Sequence, residues 1–122
     1  MRLILAILPT MALVVCGQLL IKWRVGVLAE AAQPASAPLA RLALYLTDPY
    51  ILGAYVAALA SSITWMFVLE SYPVSLAFPL HIGMTVIAVV AGGIYLFGEP
   101  ITPWRILAVC LIVAGIAVGS RS

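Results

Sequence analysis

Four long apolar runs constrain the fold of this chain more than any other feature of its sequence. They cover residues 3–23, 50–69, 74–97 and 104–119. A helix that crosses a membrane needs roughly 20 consecutive apolar residues, so each run comes close to the length of one crossing. Only 8% of the 122 residues are charged, whereas a soluble domain has roughly a quarter. A soluble globular protein and a disordered chain are therefore both excluded.

Length also decides between helix and strand, because runs that are apolar on all sides have no informative periodicity. The sequence lacks the alternating pattern of membrane β-barrels. We predict an all-α membrane protein, a single domain over residues 1–122 with four transmembrane helices. The first run is too long for a signal peptide, and Lys22 and Arg24 follow its apolar stretch instead of preceding it, so we expect a retained helix.

The one long joint, residues 25–48, divides into two parts. Alanine, proline and serine dominate positions 29–38, which predicts irregular structure. In the following segment, 39–46, Leu39, Leu42 and Leu46 share one helical face, which predicts a short helix at the membrane interface. Asp48-Pro49 then provides a cap and a first-turn proline for the second long helix.

The distribution of positive charge predicts an orientation. An even number of crossings puts both termini on one side of the membrane and the long joint on the other side. Two of the six lysine and arginine residues, Arg2 and Arg121, lie on the side of the termini, and the side of the long joint has the other four, Lys22, Arg24, Arg41 and Arg105. The excess favours a cytoplasmic joint, because cytoplasmic loops are enriched in lysine and arginine. The bias is small, so insertion in both orientations and pairing with a second chain stay open.

No catalytic set is visible, so we do not expect an enzyme, and we expect no cofactor. The sequence has a single histidine, no nucleophile elbow, no glycine-rich phosphate loop and no metal-ligand spacing. Cys16 and Cys110 lie inside apolar runs and are interpreted as small hydrophobic residues. The informative residues are instead the polar groups within apolar runs, because each is costly in lipid.

Gln18 and Lys22 are four residues apart and share one face of the first helix, beside Gly17. They form either a polar stripe for an anionic or hydroxylated head group, or a helix contact from Gln18 with Lys22 reaching the lipid head groups. Glu99 follows Gly98 and either pairs with Lys22 or Arg105, couples transport, or stabilises the start of the last helix. Spacing alone favours the last of these roles.

His81 lies about two turns into the third run, just after Pro79. It either titrates and couples transport to protons, or it is a neutral, hydrogen-bonded histidine within the bundle, which we favour. Carbonyl groups freed by Pro79 can line a cavity. Trp65, Tyr72 and Ser75 border the same space in this interpretation, although an aromatic belt explains Trp65 and Tyr72 equally well.

Gly115 and Gly119 form a GxxxG pattern in the last run. This pattern suits a dimer contact, and packing within one chain is the alternative.

The motifs, taken in order, resemble one transporter family. They are Gly17-Gln18-Leu19 with Lys22, residues 65–69 leading into 72–79, residues 97–103, and Ala114-Gly115-Ile116. Together they resemble the small four-helix branch of the drug/metabolite transporter superfamily. The likeness is greatest to the paired flippase subunits that move undecaprenyl-phosphate-linked aminoarabinose across the bacterial inner membrane. It covers both ends of the chain but not the joint from Val25 to Asp48.

The resemblance implies a small multidrug resistance-like bundle of four helices in the bacterial inner membrane. It also implies a homodimer or a heterodimer with a similar small subunit, a polyprenyl-phosphate lipid as partner, and no nucleic acid. Related multidrug exporters have a glutamate two turns before the lysine that corresponds to Lys22, where this chain has Val14. A site with lysine and glutamine but no acid suits a lipid phosphate better than a cationic drug.

We therefore expect a flippase of a polyprenyl-phosphate-linked sugar or of the polyprenyl phosphate itself. The phosphate would bind Lys22 together with Arg24, polar head-group atoms would contact Gln18, Ser75 and His81, and Glu99 would brace the loop or pair with a cation. A proton-coupled exporter of cations that uses Glu70 or Glu99, and an accessory subunit without transport activity, remain alternatives. A lipid-glycan enzyme is the least favoured.

Overall fold

The computed structural model describes residues 2–31 and 37–121, and this part of the chain is helical without strands. Five helices follow one another: α1 (Arg2–Ala31), α2 (Pro38–Leu46), α3 (Pro49–Ser71), α4 (Val74–Phe97) and α5 (Pro103–Gly119). The predicted all-α class is confirmed. The number of helices differs from the predicted four crossings, because the segment between the first two long runs contributes α2.

Three of these helices, α1, α3 and α4, are long and apolar enough to cross a membrane, which indicates a multi-pass membrane protein. The fourth apolar run forms α5, a shorter helix of 17 residues. It begins after the Thr102 cap and ends at Gly119. Helices that cross a membrane have roughly 17 to 25 residues, and α5 is at the lower limit of this range. The fourth crossing therefore stays a prediction.

The first helix is longer than predicted. The apolar run ends at Trp23, but α1 continues to Ala31. No helix-breaking residue follows Trp23 at once, and the Arg24 guanidinium is held by the Asp48 carboxylate. Helix therefore replaces the irregular structure predicted for positions 29–31. The rest of that stretch, residues 32–36, lies outside the described residues.

The helix predicted at 39–46 is present as α2, and none of its residues is buried. Leu39, Leu42 and Leu46 are exposed together on it, as expected of a helix that lies on a membrane surface. Asp48 caps α3, where its Oδ2 atom accepts hydrogen bonds from the backbone N–H groups of Tyr50 and Ile51 at 3.1 Å each. The predicted Asp-Pro helix start is confirmed, and the position of α2 at the interface stays a prediction.

The first helix lies at the centre of the bundle and packs against both α3 and α4. The buried cluster contains Ile7 of α1, Val68 of α3 and Ala77 of α4. Gly17 allows the close approach of α1 to α3, because a Cβ atom there would lie 3.3 Å from the carbonyl oxygen of Ala54. Most large apolar side chains are exposed, which is the arrangement expected where lipid is the surrounding solvent.

Candidate functional site

A loose ion pair joins α1 to the segment that follows α4. Lys22 Nζ of α1 lies 4.0 Å from Glu99 Oε1, and the two side chains are 63% and 38% exposed. Both groups therefore remain accessible, unlike the partners of a buried salt bridge. The pairing with Lys22 is one of the alternatives predicted for Glu99.

The backbone at the end of α4 fixes the position of this carboxylate. Gly98 has a left-handed conformation, with φ of 64°, which ends the helix. The N–H group of Glu99 then donates to the carbonyl oxygen of Gly93 at 3.2 Å. A Cβ atom on Gly93 would lie 2.6 Å from Glu99 Oε2, so glycine leaves the space that the carboxylate fills.

Glu99 does not cap α5, the role that spacing alone favoured. Thr102 does so, with its hydroxyl accepting from the N–H group of Arg105 at 3.2 Å. The guanidinium of Arg105, the other predicted partner of Glu99, donates to the carbonyl oxygen of Pro100 at 2.9 Å. The preferred partner of Glu99 is therefore Lys22.

An apolar groove of about 580 Å³ lies between residues 16–23 of α1 and the end of α4. Its lining residues come from the stretch of α1 around Lys22 and from the end of α4, namely Cys16, Leu19, Leu20, Trp23, Leu96 and Phe97. The two helices approach closely here, because a Cβ atom on Gly92 would lie 2.7 Å from the Leu19 side chain. The exposed Lys22 thus lies on the same stretch of α1 as a surface suited to a hydrocarbon chain, although its side chain is not part of the lining.

Arg24 has tighter contacts than Lys22. Its Nε atom donates to Asp48 Oδ1 at 2.8 Å, and the side chains are only 22% and 4% exposed. The guanidinium also lies 4.8 Å from the ring centroid of Tyr50 and 5.6 Å from that of Trp23. Arg24 therefore joins α1 to the start of α3 instead of pointing freely at the groove.

The Asp48 carboxylate is ionised over most of the pH range. Burial raises the pKa of Asp48, but the hydrogen bond and charge of Arg24 and the N–H groups of Ile51 and Tyr50 lower it. The lowering causes outweigh burial, so its pKa lies below the ordinary value of 3.8. The sequence marked Asp48 only as a cap, and its pairing with Arg24, 24 positions away, was not predicted.

A second, polar cavity of about 220 Å³ lies between α1, α3 and α4. Its lining includes Thr10, Val14, Ser61, Trp65, Phe78 and His81. His81 is only 8% exposed, and its ring lies 5.1 Å from that of Trp65. The Nδ1 atom of His81 is buried and has no hydrogen-bond partner within the described part of the chain. This finding differs from the hydrogen-bonded histidine that we favoured.

The hydroxyl groups near this cavity were not among the predicted site residues. Thr10 and Thr64 are in contact, with their Oγ1 atoms 2.6 Å apart. Ser61 and Ser62 also line the cavity. The signal that would have identified them is that serine and threonine are polar residues inside lipid-length apolar runs.

The remaining predicted residues lie elsewhere. Tyr72 packs against the buried cluster at the end of α3, where its N–H group donates to the Val68 carbonyl at 3.1 Å. Ser75, Pro79, Gly115 and Gly119 line a groove of about 310 Å³ between α4 and α5. Gln18 is exposed on α1, and no hydrogen bond of its side chain occurs within residues 2–31 and 37–121.

The predicted binding residues therefore form separate groups along the bundle. Ser75 is near the start of α4 and Phe97 is at its end, 22 residues on, which corresponds to about 33 Å along a helix. Ser75 and the Lys22–Glu99 pair thus lie at opposite ends of α4, with His81 between them. One compact head group cannot contact all of these residues at once.

The described residues contain no group of three or more histidine, cysteine, aspartate or glutamate side chains that could hold a metal ion. Comparisons of this chain with protein-family models, with curated proteins and with solved structures found no match.

Proposed function

We propose that this chain is a subunit of a bacterial inner-membrane flippase for a polyprenyl-phosphate-linked sugar or for polyprenyl phosphate. The observation that carries the proposal is the exposed Lys22 ammonium on the same stretch of α1 that, with the end of α4, forms the apolar groove. A ligand that satisfies both features has an anionic group joined to a hydrocarbon chain. The resemblance of the sequence motifs to flippase subunits adds independent support.

The geometry of the ion pair suits a site that exchanges partners. At 4.0 Å the Lys22–Glu99 contact lies beyond the usual hydrogen-bond distance, and both side chains are accessible. The phosphate of polyprenyl phosphate carries more charge and more acceptor atoms than a carboxylate, and the phosphodiester of the sugar-linked lipid still carries one full negative charge, so either group competes with Glu99 for one ammonium group. Glu99 then neutralises Lys22 when no phosphate is bound.

This proposal assigns the phosphate to Lys22 and not to Arg24. The Arg24 guanidinium is already satisfied by Asp48 and by the ring of Tyr50. Breaking that pair would leave the mostly buried Asp48 carboxylate without its partner, which is costly. Arg24 instead supports the part of α1 that positions Lys22, two residues away.

We also propose that two subunits form the working transporter, either two copies of this chain or this chain with a similar one. Within the described residues α5 contacts only α4, and it contains no buried residue. Ile116 fills the space over Gly83 of α4, whereas a Cβ atom on Gly115 would meet nothing within 4 Å. The surface of α5 around Gly115 is therefore available to a second subunit.

The decisive experiment compares two lipids that differ only in the phosphate. Protein in lipid nanodiscs is loaded with undecaprenyl phosphate or with undecaprenol, and the retained lipid is measured by native mass spectrometry. We expect wild-type protein to prefer the phosphate, and Lys22→Ala to lose that preference by about tenfold or more, the effect of one charge-assisted hydrogen bond. Arg121→Ala, which also removes one cation, is the matched control and should keep the preference.

Equal retention of the two lipids by wild-type protein would contradict the proposed ligand. Transport is tested on liposomes that contain a fluorescent polyprenyl-phosphate sugar and are treated with a membrane-impermeant quencher. Wild-type protein should expose the inner-leaflet lipid faster than Lys22→Ala does. A wild-type rate equal to that of empty liposomes would favour the alternative of an accessory subunit without transport activity.

A further inference from the structure

The polar cavity between α1, α3 and α4 lies deeper in the bundle than Lys22. Val14, on its α1 wall, is eight residues before Lys22, which corresponds to about 12 Å along the helix. Val14 is also close to the middle of α1, which runs from Arg2 to Ala31. The cavity is therefore near the depth at which transporters commonly bind their substrates.

The hydrogen bonds around the cavity determine which hydroxyl groups can still donate. The Ser61 hydroxyl donates to the carbonyl oxygen of Ala58 at 2.6 Å, and the Thr64 hydroxyl donates to that of Ser61 at 2.9 Å. A hydroxyl group has a single proton. In the 2.6 Å contact between Thr10 and Thr64, Thr10 must therefore be the donor.

It follows that these hydroxyl groups present acceptors and no donors to the cavity. The Ser62 hydroxyl also has a carbonyl partner, Ala58, at 3.3 Å. The oxygen atoms of Thr10 and Ser61 keep unused lone pairs, while their protons are already committed to protein groups. Two ring side chains on this lining keep unused hydrogen-bonding capacity, because no hydrogen bond of the Trp65 indole N–H occurs within the described residues and the buried Nδ1 atom of His81 has no partner there.

We propose that this cavity binds an uncharged, hydroxyl-bearing group, such as a sugar ring, through hydrogen bonds donated by the ligand. The hydroxyl oxygens of Thr10 and Ser61 accept these bonds, and His81 completes the polar contacts. Trp65 and Phe78, whose ring centroids are 6.4 Å apart, provide the apolar surface. The assignment deepens the proposed function, on which it rests for the identity of the ligand as the sugar of the transported lipid.

The ligand is uncharged because neither a carboxylate nor a lysine or arginine side chain belongs to the lining of this cavity. An ammonium group would lie at membrane depth without a counter-charge, which is expensive. A hydroxyl-bearing ring donates to the available acceptors and brings no charge into the bundle.

The test uses two ligands that differ only in their ability to donate. Decyl glucoside has free hydroxyl groups, whereas its per-O-methylated derivative has acceptors alone. Binding to protein in nanodiscs is followed through the fluorescence of Trp65, with Trp23 and Trp104 replaced by phenylalanine. We expect decyl glucoside to bind about tenfold more tightly than the methylated derivative, as one or two hydrogen bonds would give.

Ser61→Ala should abolish most of this preference, because it removes an acceptor from the lining. Ser120→Ala is the matched control, since the Ser120 hydroxyl also donates to a carbonyl of its own helix, that of Ala117 at 2.9 Å. Thr10→Ser keeps the hydroxyl and should keep the preference, which separates loss of the acceptor from disturbed packing.

Equal binding of the two ligands by wild-type protein would overturn the proposal, and so would a preference that survives Ser61→Ala. Tighter binding of decylammonium than of decyl glucoside would overturn the assignment to an uncharged group. A Lys22→Ala protein measured in parallel should keep the full preference. Failure of the phosphate site and failure of the sugar cavity therefore give different results.

Discussion

Two ion pairs lie two residues apart on α1 and are built in opposite ways. Lys22 and Glu99 are 4.0 Å apart and accessible, whereas Arg24 and Asp48 are 2.8 Å apart with side chains only 22% and 4% exposed. Exposed pairs contribute little to stability, and removing one partner of a buried pair is strongly unfavourable. The difference separates a pair that a ligand can open from a pair that holds the helices together.

The side-chain chemistry follows the same division. The Arg24 guanidinium lies over the Tyr50 ring while it donates to Asp48, which the planar group of arginine allows and the ammonium of lysine does not. Lys22 is a compact charge on a flexible chain and can follow a moving phosphate. The two neighbouring cations therefore have different functions although their charge is the same.

The largest expected effect comes from reversing the charge at the accessible pair. Lys22→Glu places two carboxylates together and should reduce the affinity for undecaprenyl phosphate by about a hundredfold, because attraction becomes repulsion. Native mass spectrometry of lipid retention measures the change. The double variant Lys22→Glu/Glu99→Lys restores one cation to the pair and should recover part of the affinity.

If the double variant binds no better than Lys22→Glu alone, the cation must stand on α1 itself, and Glu99 has no part in the site. The thermal midpoint should change little in either variant, because the pair is exposed. A large loss of stability would instead assign Lys22 the structural role that we give to Arg24.

The next largest expected effect is a loss of stability when the Arg24–Asp48 pair is broken. Arg24→Ala leaves the Asp48 carboxylate without its charged partner and removes the contact with Tyr50, so the thermal midpoint in detergent should fall clearly more than for Lys22→Ala. Arg24→Lys keeps the charge but loses the ring contact and should lie between the two. Thermal unfolding monitored by circular dichroism measures all three variants.

Equal midpoints for Arg24→Ala and Lys22→Ala would end the distinction between the two pairs. In that case the 2.8 Å contact between Arg24 and Asp48 would contribute no more to the stability of the fold than an exposed ion pair does.

The Lys22–Glu99 pair was easier to predict from the sequence than the Arg24–Asp48 pair. Hydropathy fixed the class of protein, because long apolar stretches have few alternatives to membrane helices. The pairing of Lys22 with Glu99 was one of three roles considered, since both residues are charges at the ends of apolar runs. The choice among the three roles of Glu99 depended on Gly98, whose left-handed backbone ends α4, and on Gly93, which leaves space for the carboxylate.

The Arg24–Asp48 pair could not be predicted in the same way. The pair forms only because α1 continues beyond Trp23, and the sequence contains no signal there that would mark the end of one helix or the beginning of another. The buried state of His81 and the hydroxyl contact between Thr10 and Thr64 also depend on how three helices rotate against one another. Runs that are apolar on all sides do not encode that rotation by periodicity.

The smallest expected effect is the pH dependence of the tight pair. The pKa of Asp48 is lower in the folded protein than its ordinary value of 3.8. Its ionisation therefore stabilises the fold fully above that value, and the contribution is lost as the pH falls from there through the lower folded-state pKa. Wild-type protein should lose stability over this acidic range, and Asp48→Asn should lose less, because the amide does not titrate.

The measurement is the thermal midpoint of both proteins in detergent at several acidic pH values and at neutral pH. Glu99→Gln is the matched control at the accessible pair, and its midpoint should follow that of wild-type protein through the same range. Parallel curves for wild type and Asp48→Asn would show that Asp48 holds α3 as a cap alone. The Arg24 contact would then add nothing that depends on the charge of Asp48, and the two ion pairs would differ only in their exposure.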